Sequence, residues 1–240
     1  MLIAIQNVLE PTKEGIRKLP GTVIANASTG EIFHTPPEGE ENIRRLLGNL
    51  EMFMNETDDD IDPLIKLGVM HYQFESIHPF YDGNGRTGRM LMILYLLLTE
   101  KLEYPVLFIS EFINQSRSQY YQTLNGTSKS GDYTKIILYM LEAVSQQAQQ
   151  TEKKILNIKT LMETVEKTMQ QKLNVDYHKI ATVLFSNPYI TITKFAEEMG
   201  VVRQTITRYV AQLEGLGIIK TESLGNSTLI SIPEFIGLLS

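Results

Sequence analysis

The 240-residue sequence predicts a mainly α protein: a helical domain with a β-hairpin flap, followed by a winged helix-turn-helix domain. Apolar residues recur three or four positions apart through most of the chain, which is the spacing of amphipathic helices. β-branched residues flank a Ser-Thr-Gly turn at 28–30, which predicts a short hairpin. Near the end, helical patterns precede strand-like residues on either side of Gly225-Asn226, a strong hairpin signal. We therefore divide the chain into a helical domain (1–145), a connecting helix (146–172) and a winged-helix domain (173–240).

The first third of the chain combines the flap with one amphipathic helix. Residues 21–37 form the predicted flap, which ends at Pro36-Pro37. A helix follows over residues 40–55, with apolar positions at Ile43, Leu46, Leu47, Leu50, Phe53 and Met54. The acidic run at 58–62 has the composition of a metal site. We interpret it instead as a solvated loop, in which Asp62 caps the next helix and Pro63 occupies its first position.

Two helices on either side of Pro79 form the predicted centre of the helical domain. The first runs from Leu64 toward Ile77, and the second covers residues 85–100. Residues 90–98 of the second helix are apolar on every side, as is typical of a helix surrounded by protein. Further amphipathic helices are predicted at about 106–124 and 132–147.

The remaining part of the chain changes composition twice. Residues 146–172 are rich in Gln, Lys, Glu and Thr and carry one apolar stripe, which is typical of a connecting helix. A helix that pairs with a second copy of the chain would show the same stripe, so a homodimer stays open as an alternative. Beyond it, helices are predicted at 177–185, 193–199 and 203–216, with a turn at Gly200 before the last.

The composition excludes several classes of function. No cysteine occurs, so disulfides, thiolate zinc sites and cysteine nucleophiles are excluded, and we expect a cytoplasmic location. The formal net charge of −6 is unsuited to bulk nucleic-acid binding. The longest apolar run, at 90–98, is far shorter than the roughly 20 residues of a membrane span. The first residues lack a signal-peptide pattern, so we expect no membrane association.

Residues 78–89 read HPFYDGNGRTGR, in which Gly83, Gly85 and Gly88 have the G-x-G-x-x-G spacing of dinucleotide-binding turns. That pattern requires a preceding β-strand within a βαβ unit, whereas a capped helix precedes these glycines. The P-loop pattern is absent too, because no G-x-x-x-x-G-K-[ST] occurs. The glycines therefore predict a phosphate site of another kind.

The residue types around the glycines suit the transfer of a phosphorus group. Residues 83–85 permit the close backbone approach of an anion-binding nest, at the start of a helix whose free N–H groups favour negative charge. Arg86 and Arg89 lie on one helical face and can both donate to phosphate oxygens. Asp82 offers an oxygen ligand for Mg²⁺. His78 has an ordinary pKa of roughly 6.5 and can abstract a proton near neutral pH.

This segment resembles the signature of the Fic family, H-x-F-x-[DE]-G-N-G-R-x-x-R. The fixed positions are filled by His78, Phe80, Asp82, Gly83, Asn84, Gly85, Arg86 and Arg89. The segments IFHTPP at 32–37, RSQYY at 117–121 and GDY at 131–133 are similar to the family's flap and to two motifs after the core helix. The resemblance covers about residues 20–145, and a winged-helix tail is a common companion in bacterial members.

The resemblance implies a protein adenylyltransferase, which moves AMP from ATP to a Ser, Thr or Tyr hydroxyl of a target protein and releases pyrophosphate. It implies that His78 is the general base, that Asp82 holds Mg²⁺ on the phosphates and that Phe80 anchors the loop. By the same resemblance, the nucleotide-binding residues are Gly83, Asn84, Gly85, Arg86, Thr87, Gly88, Arg89 and Tyr120. The target would dock on the flap by strand addition, at Ile32, Phe33, His34 and Thr35.

The family pattern leaves one alternative reaction and shows one departure. Removal of AMP from the target is an alternative, whereas phosphorylation is disfavoured because Gly85-Arg86 stand where kinase-like relatives have Asn-Lys. Many members carry an inhibitory [ST]-x-x-x-E-[GN] segment. The Glu-Gly pairs here begin at Glu14, Glu38 and Glu214, and the residues four positions earlier are Glu10, His34 and Val210 rather than Ser or Thr. We therefore expect no inhibitory segment in this sequence and an unrestrained site.

A DNA-binding regulator is the alternative from another class of function. The third helix of the last domain carries Arg203, Gln204, Thr205, Thr207 and Arg208, which could reach base edges or phosphates. Residues 173–240 contain five Lys or Arg and six Asp or Glu, however, which leaves a charge of −1. That balance is unfavourable for a protein that binds duplex DNA.

Overall fold

The computed structural model describes residues 1–13, 15–25, 30, 32–225 and 227–239 of the chain, without the side chain of residue 33. These residues form two compact units, Met1–Thr151 and Glu152–Ser240. The expected mainly α fold is confirmed, since helices account for most of both units. None of the described helices has the length and apolar content needed to span a membrane.

The first unit is a helical domain with one small hairpin among its described residues. Its elements are α1 (Leu2–Leu9), β1 (Ile24–Ala25), β2 (Ile32–His34), α2 (Glu40–Asn55), α3 (Pro63–Ile77), α4 (Asn84–Leu98), α5 (Ile109–Gln115), α6 (Arg117–Ser130) and α7 (Thr134–Lys172), which continues into the second unit. The strands pair antiparallel, with Ile24 opposite His34, and form the predicted flap. The predicted turn lies at residues 28–30, of which 28 and 29 are outside the described residues.

Helix α3 begins where the sequence indicates. Asp62 Oδ1 accepts a hydrogen bond from the Leu64 N–H at 2.7 Å, and Pro63 occupies the first position of the helix. The acidic loop before it has a structural partner: Asp59 pairs with the buried Lys66 at 2.7 Å. Lys66 also donates to the backbone oxygen of Glu56 beyond the end of α2, so this loop joins α2 to α3.

Helix α4 is less enclosed than its sequence suggests. It packs against α1 and α3, and Leu91, Met92 and Leu96 are buried. The expectation that residues 90–98 are surrounded by protein is wrong, because Met90, Leu94 and Leu98 are exposed. These three residues are four positions apart and form one exposed stripe, and Met90 and Leu94 border a cavity shared with Leu9 of α1 and Ile109 of α5. An apolar run alone does not reveal how many neighbours a helix has.

The helices differ from the prediction in three further ways. Helix α1 was not expected, and the helix predicted at about 106–124 is divided into α5 and α6 at Ser116. The helices predicted at 132–147 and 146–172 are the single helix α7 of 39 residues. No Gly or Pro occurs between residues 134 and 172, so the change in composition at 146 contains nothing that would end a helix.

The second unit follows the predicted order of elements, with two additions. They are α8 (Tyr177–Ser186), β3 (Ile190–Thr191), α9 (Ile192–Met199), α10 (Arg203–Gly215), β4 (Lys220–Leu224), β5 (Ser227–Ser231) and α11 (Pro233–Leu239). Strand β3 and helix α11 were not predicted. The sheet has the order β3-β5-β4, and Leu224 pairs with Ser227 across the predicted hairpin turn, of which residue 226 is outside the described residues. Phe195, Ile206 and Ile230 are fully buried in its core.

Candidate active site

His78 ends helix α3 and turns the chain into the motif loop. Its backbone is left-handed, with φ 48° and ψ 58°, and its N–H donates to the Phe74 oxygen at 3.0 Å. Pro79 follows, and Phe80 is completely buried against Phe74, the position expected of an anchor. This turn places the imidazole beside the start of α4, because the chain reverses direction between the two helices.

Asn84 fixes the loop through its side chain. Its Oδ1 accepts from the Phe80 N–H at 2.9 Å, and its Nδ2 donates to the Phe80 oxygen at 2.8 Å. Both ends of the buried amide are therefore occupied within the loop. One Nδ2 hydrogen and the backbone N–H remain available, and Asn84 lines the cleft described below, so its role in holding a phosphate oxygen stays a prediction.

The start of α4 is built as a nest. Gly83 has φ +79° and caps the helix, and no side chain among the described residues caps the first N–H groups of α4. A positive φ at this position favours glycine, and uncapped N–H groups bind anions. Gly85 leaves space for the guanidinium of Arg89, whose Nη1 lies 3.0 Å from the place of a Cβ at that position. The turn therefore presents backbone donors and a guanidinium on one side.

Gly88 and Thr87 lie underneath the nest. A Cβ at Gly88 would meet Glu75 Oε1 at 2.8 Å and Phe74 Cδ1 at 2.9 Å, so this glycine lets α4 pack on α3. Thr87 is fully buried. Neither lines the cavities described below, so the structure gives both a packing role, and their part in binding nucleotide stays a prediction.

Two connected cavities lie between the motif and α6. A cleft of about 370 Å³ is lined by His78, Asp82, Arg86 and Arg89 together with the nest residues and Arg117. A smaller cavity of about 160 Å³ extends from it toward the flap and includes His34, Glu75, Asn125 and Ser128. His78, Gly85, Arg89, Tyr120 and Tyr121 line both cavities. The volumes and the shared lining suit a phosphorylated small molecule.

Buried polar groups surround the smaller cavity. Tyr120 and His71 are hydrogen-bonded through Oη and Nε2 at 2.8 Å, which explains why Tyr120 is held beneath the cavity. Arg89 Nε donates to Ser110 Oγ at 2.9 Å. One oxygen of the Glu75 carboxyl, Oε1, is buried and has no hydrogen-bond partner among the described residues. Burial raises the pKa of Glu75 to about 7, against the opposing effect of the Arg89 charge.

The electrostatics of His78 keep the imidazole neutral. Burial lowers its pKa to about 4, and the charges of Arg17 and His34 act in the same direction. The backbone of Glu75 and the carboxylate of Asp82 raise the pKa by smaller amounts. A neutral imidazole is the form that can accept a proton, and a bound triphosphate would bring its pKa closer to neutral pH.

The segment after α1 already contacts the charged groups of the cleft. Arg86 pairs with Glu10, and Asp82 Oδ2 accepts from Lys13 Nζ at 2.9 Å. The Glu10 carboxylate thus neutralises the Arg86 guanidinium, and the Lys13 ammonium neutralises the Asp82 carboxylate. The contact comes from Glu10 itself and not from a Glu-Gly pair, and the absence of an inhibitory segment stays a prediction. Glu14, one of the three residues considered, lies outside the described residues.

The flap contributes one residue to the site. His34 is half-buried, its Nε2 lies 2.9 Å from the Ser76 oxygen, and its Nδ1 lies 3.3 Å from Ser128 Oγ. It therefore anchors β2 and lines the smaller cavity, whereas Ile32 and Thr35 are exposed, as a docking edge requires. The side chain of Phe33 is outside the described part of the structure.

The predicted magnesium ligand has suitable chemistry. Mg²⁺ is commonly held by one or two carboxylates, substrate phosphates and water. Asp82 is about half exposed at the cleft, and Gly83 N–H holds its Oδ1 at 2.7 Å, which orients the carboxylate. No group of three or more His, Asp or Glu ligands forms elsewhere among the described residues. Asp82 therefore fits a metal that the substrate helps to bind.

Sequence reasoning missed several residues of the site. Glu75 precedes His78 by three positions, so its place on the same face of α3 was readable from helical spacing. Asn125 and Ser128 follow RSQYY by one and two turns of α6 in the same way. Arg17 and Glu10 gave no such signal, because their contacts are made across more than 60 residues of chain.

The residues predicted to contact DNA lie on α10 in the second unit. Arg203, Gln204, Thr207 and Arg208 are exposed, and Thr205 is half-buried. Among the described residues neither arginine forms an ion pair, and Arg208 lies 5.5 Å from the centroid of the Tyr209 ring. Four of the five residues are therefore exposed on α10, and Thr205 is only partly accessible.

Comparison with known proteins identifies relatives for both units. Residues 2–96 match the Fic/DOC family, and residues 161–235 match the family described as protein adenylyltransferase SoFic-like, C-terminal domain. The protein adenylyltransferase Fic of Drosophila grimshawi is 34% identical over 110 residues, which are 45% of this chain and 21% of that protein. The corresponding protein of Drosophila mojavensis is also 34% identical over 110 residues, 45% of this chain and 20% of its own length. The chain thus spans about a fifth of these relatives.

A solved structure shows the same fold. The crystal structure of a Fic family protein from Desulfovibrio desulfuricans G20 superimposes with a TM-score of 0.54 and 19% identity. The match covers 95% of this chain and 66% of that one. At this level of identity the likeness concerns the fold alone.

Proposed function

We propose that this chain, which carries a Fic/DOC family domain at residues 2–96 and a SoFic-like C-terminal domain at 161–235, is a protein adenylyltransferase. It transfers AMP from ATP to a hydroxyl group of a target protein. The observation that carries the proposal is the single cleft in which a neutral imidazole, an uncapped helix start and two arginines meet. The named relatives, which are far longer, support the same activity.

The triphosphate binds at the start of α4. Backbone N–H groups at 84–86 and the guanidiniums of Arg86 and Arg89 stabilise the negative charge that moves onto the leaving group. Asp82 would hold Mg²⁺, which would neutralise phosphate charge. The adenosine enters the smaller cavity, where Tyr121 and Asn125 line the wall.

The chemical step is an in-line displacement at the α-phosphorus. The target hydroxyl, presented along the exposed edge of the flap, attacks the phosphorus while His78 accepts its proton. A new oxygen–phosphorus bond forms, and the bond to the bridging oxygen breaks, which releases pyrophosphate. Positioning and charge stabilisation supply most of the acceleration, because no covalent intermediate with the protein is needed.

The proposal is tested with ATP labelled at the α- or the γ-phosphorus and a lysate as the source of targets. We expect label in protein from the α-position only. His78→Ala should lower transfer by about 100- to 10,000-fold, with the affinity for ATP within twofold of the parent. His178→Ala, on an exposed histidine of the second unit, is the control and should transfer normally. Transfer from the γ-position, or an active His78→Ala protein, would contradict the proposal.

For the second unit we propose a winged-helix domain that contacts duplex DNA through α10. Arg203 and Arg208 are exposed and without carboxylate partners among the described residues, which supports two phosphate contacts. Two such contacts predict weak binding whose log K falls with log salt with a slope of about −1.8. Gel shifts across a salt series measure this slope. The variant with both Arg203→Ala and Arg208→Ala should lose the salt dependence. Equal slopes in both proteins would argue against the contact. We also propose a cytoplasmic location, which the cysteine-free composition supports.

A further inference from the structure

Arg17 is a buried arginine that touches three parts of the site at once. Only 1% of it is exposed. Its Nε donates to the His78 oxygen at 2.7 Å, and its Nη2 donates to the Pro37 oxygen at 2.5 Å and the Ile77 oxygen at 3.2 Å. One guanidinium thus joins the end of α3, the residue that carries the imidazole and the segment that leaves the flap.

Residues 16–21, which we call the strap, run beside the motif loop and hold it along its length. Ile16 forms a β-bridge with Phe80, and the Arg17 N–H donates to the Pro79 oxygen at 2.9 Å. The N–H groups of residues 18 and 19 donate to the Tyr81 hydroxyl at 2.8 and 3.2 Å. At its far end the Gly21 N–H donates to Glu38 Oε1 at 2.8 Å. The strap therefore connects the motif loop with the base of the flap.

The position of the charge explains why arginine is needed there. The carbonyls of Ile77 and His78 end α3, where the helix dipole is negative and a cation is favoured. Nε and Nη2 of one planar guanidinium reach three separate carbonyls, whereas the ammonium of lysine is a single point; Nη1 is buried without a partner among the described residues. Because the group is buried, each carbonyl that it left would lose its partner without gaining water.

We propose that Arg17 is a positioning residue that fixes the flap and the imidazole of His78 relative to each other. The inference rests on the proposed function, in which the flap presents the hydroxyl and His78 accepts its proton. Arg17 does not line either cavity, so it acts through backbone groups and not through the nucleotide. A displacement of about 1 Å between the two partners lowers the rate by up to roughly 100-fold.

A second tether limits the size of the effect. His34 joins β2 to the Ser76 oxygen and to Ser128 independently of the strap. Loss of the Arg17 fork therefore loosens the flap base at Pro37 while strand β2 keeps its contact with α3. We expect impaired transfer and not its abolition.

The test compares Arg17→Lys with the parent in the full chain. Arg44→Lys is the matched control, because Arg44 is exposed on α2 and pairs only with Glu40 among the described charged groups. For Arg17→Lys we expect kcat to fall about 10- to 100-fold, with the number of ATP sites and the affinity for ATP unchanged within twofold. Amide exchange should accelerate at the flap base (residues 35, 38 and 39) and in the motif loop (78 and 80–82), and stay constant in α9.

The outcomes separate the role of Arg17 from the proposed function. A lower number of ATP sites with an unchanged kcat per site would overturn the inference, because Arg17 would then only support folding. Unchanged exchange at the flap and the loop would also overturn it, whatever the activity. If the parent transfers no AMP, the proposed function fails, and the exchange measurement still decides whether Arg17 couples the two segments.

Discussion

Glu75 is a buried acid at the smaller cavity, and its ionisation changes the stability of the protein with pH. Burial raises its pKa from 4.5 to about 7 in the folded protein. The folded state therefore binds more protons than the unfolded state between these values, and the contribution of Glu75 to the free energy of unfolding falls as pH rises through this window, by about 1–3 kcal/mol. Glu75→Gln removes this dependence.

Urea unfolding of the parent and Glu75→Gln at pH 5 and pH 7.5 measures the difference directly. The pKa values of His71 and His78 are lowered to about 3 and about 4, so those groups favour stability at the higher pH. They are present in both proteins, and their contribution cancels in the comparison. Parallel pH profiles for the two proteins would show that Glu75 is not protonated in the folded state.

Gly88 permits the approach of α3 to α4, and a methyl group there has no space. We expect Gly88→Ala to destabilise the first unit by about 1–3 kcal/mol, since backbone or ring atoms must move away from contacts under 3.0 Å. Calorimetric melting checks this. Gly126→Ala is the control, because Gly126 lies in α6 with nothing within 4 Å of the added atom. Equal melting temperatures for the two variants would contradict the claim that a methyl group at position 88 has no space.

Single residues were predictable where the motif is local. His78, Asp82, Arg86 and Arg89 meet at one cleft, as their spacing around a helix start indicates. Asn84 carried the same signal and turned inward, because the Phe80 backbone groups in the tight loop need partners. The contacts of Arg17 were not predictable, because no pattern in a sequence shows which distant carbonyls lack a donor.

A ligand of the cleft would have to compete with the segment after α1, whose Glu10 and Lys13 pair with Arg86 and Asp82. Replacing Glu10 by Ala frees Arg86, so we expect ATP to bind roughly two- to fivefold more tightly, the range given by an exposed ion pair of about 0.5–1 kcal/mol. Titration calorimetry measures the affinity. Glu51→Ala, on an exposed acid of α2, should leave it unchanged. Unaltered affinity in Glu10→Ala would mean that the triphosphate does not displace this pair.

Elements were predictable where an end signal accompanied the periodicity. Asp62-Pro63 marks the start of α3, and Gly200 ends α9 with φ +70°. The division between α5 and α6 carries no Gly or Pro, and the unbroken α7 crosses a change in composition, so neither was visible. Composition describes the environment of a helix, whereas its ends depend on which backbone groups find partners.

The two units have separate cores, which makes their stabilities independent to a first approximation. The buried cluster of the first unit ends at Ala143, and that of the second begins at Val165. We expect Phe195→Ala to destabilise the second unit by about 3–5 kcal/mol while ATP binding by the first is retained. A melting curve with one shifted and one unshifted transition would agree, and loss of ATP binding would not.

At the scale of the whole chain, the mainly α class followed from the spacing of apolar residues, whereas α1, α11 and the division between α5 and α6 did not. The two-residue strands β1 and β3 are too short for any alternation to register, and only the flap was predicted, through its turn residues. The pairing of β5 between β3 and β4 depends on contacts far apart in sequence. Long-range pairing is the part of a fold that periodicity does not encode.

The left-handed backbone of His78 has a consequence for how this chain would diverge. Glycine and asparagine enter that conformation more readily, so keeping an imidazole there costs roughly 1–2 kcal/mol. Without selection for the imidazole, a substitution at position 78 that suits the left-handed backbone would raise the free energy of unfolding. Descendants with glycine or asparagine at position 78 and the remaining motif intact would then be pseudoenzymes that fold better than their ancestor.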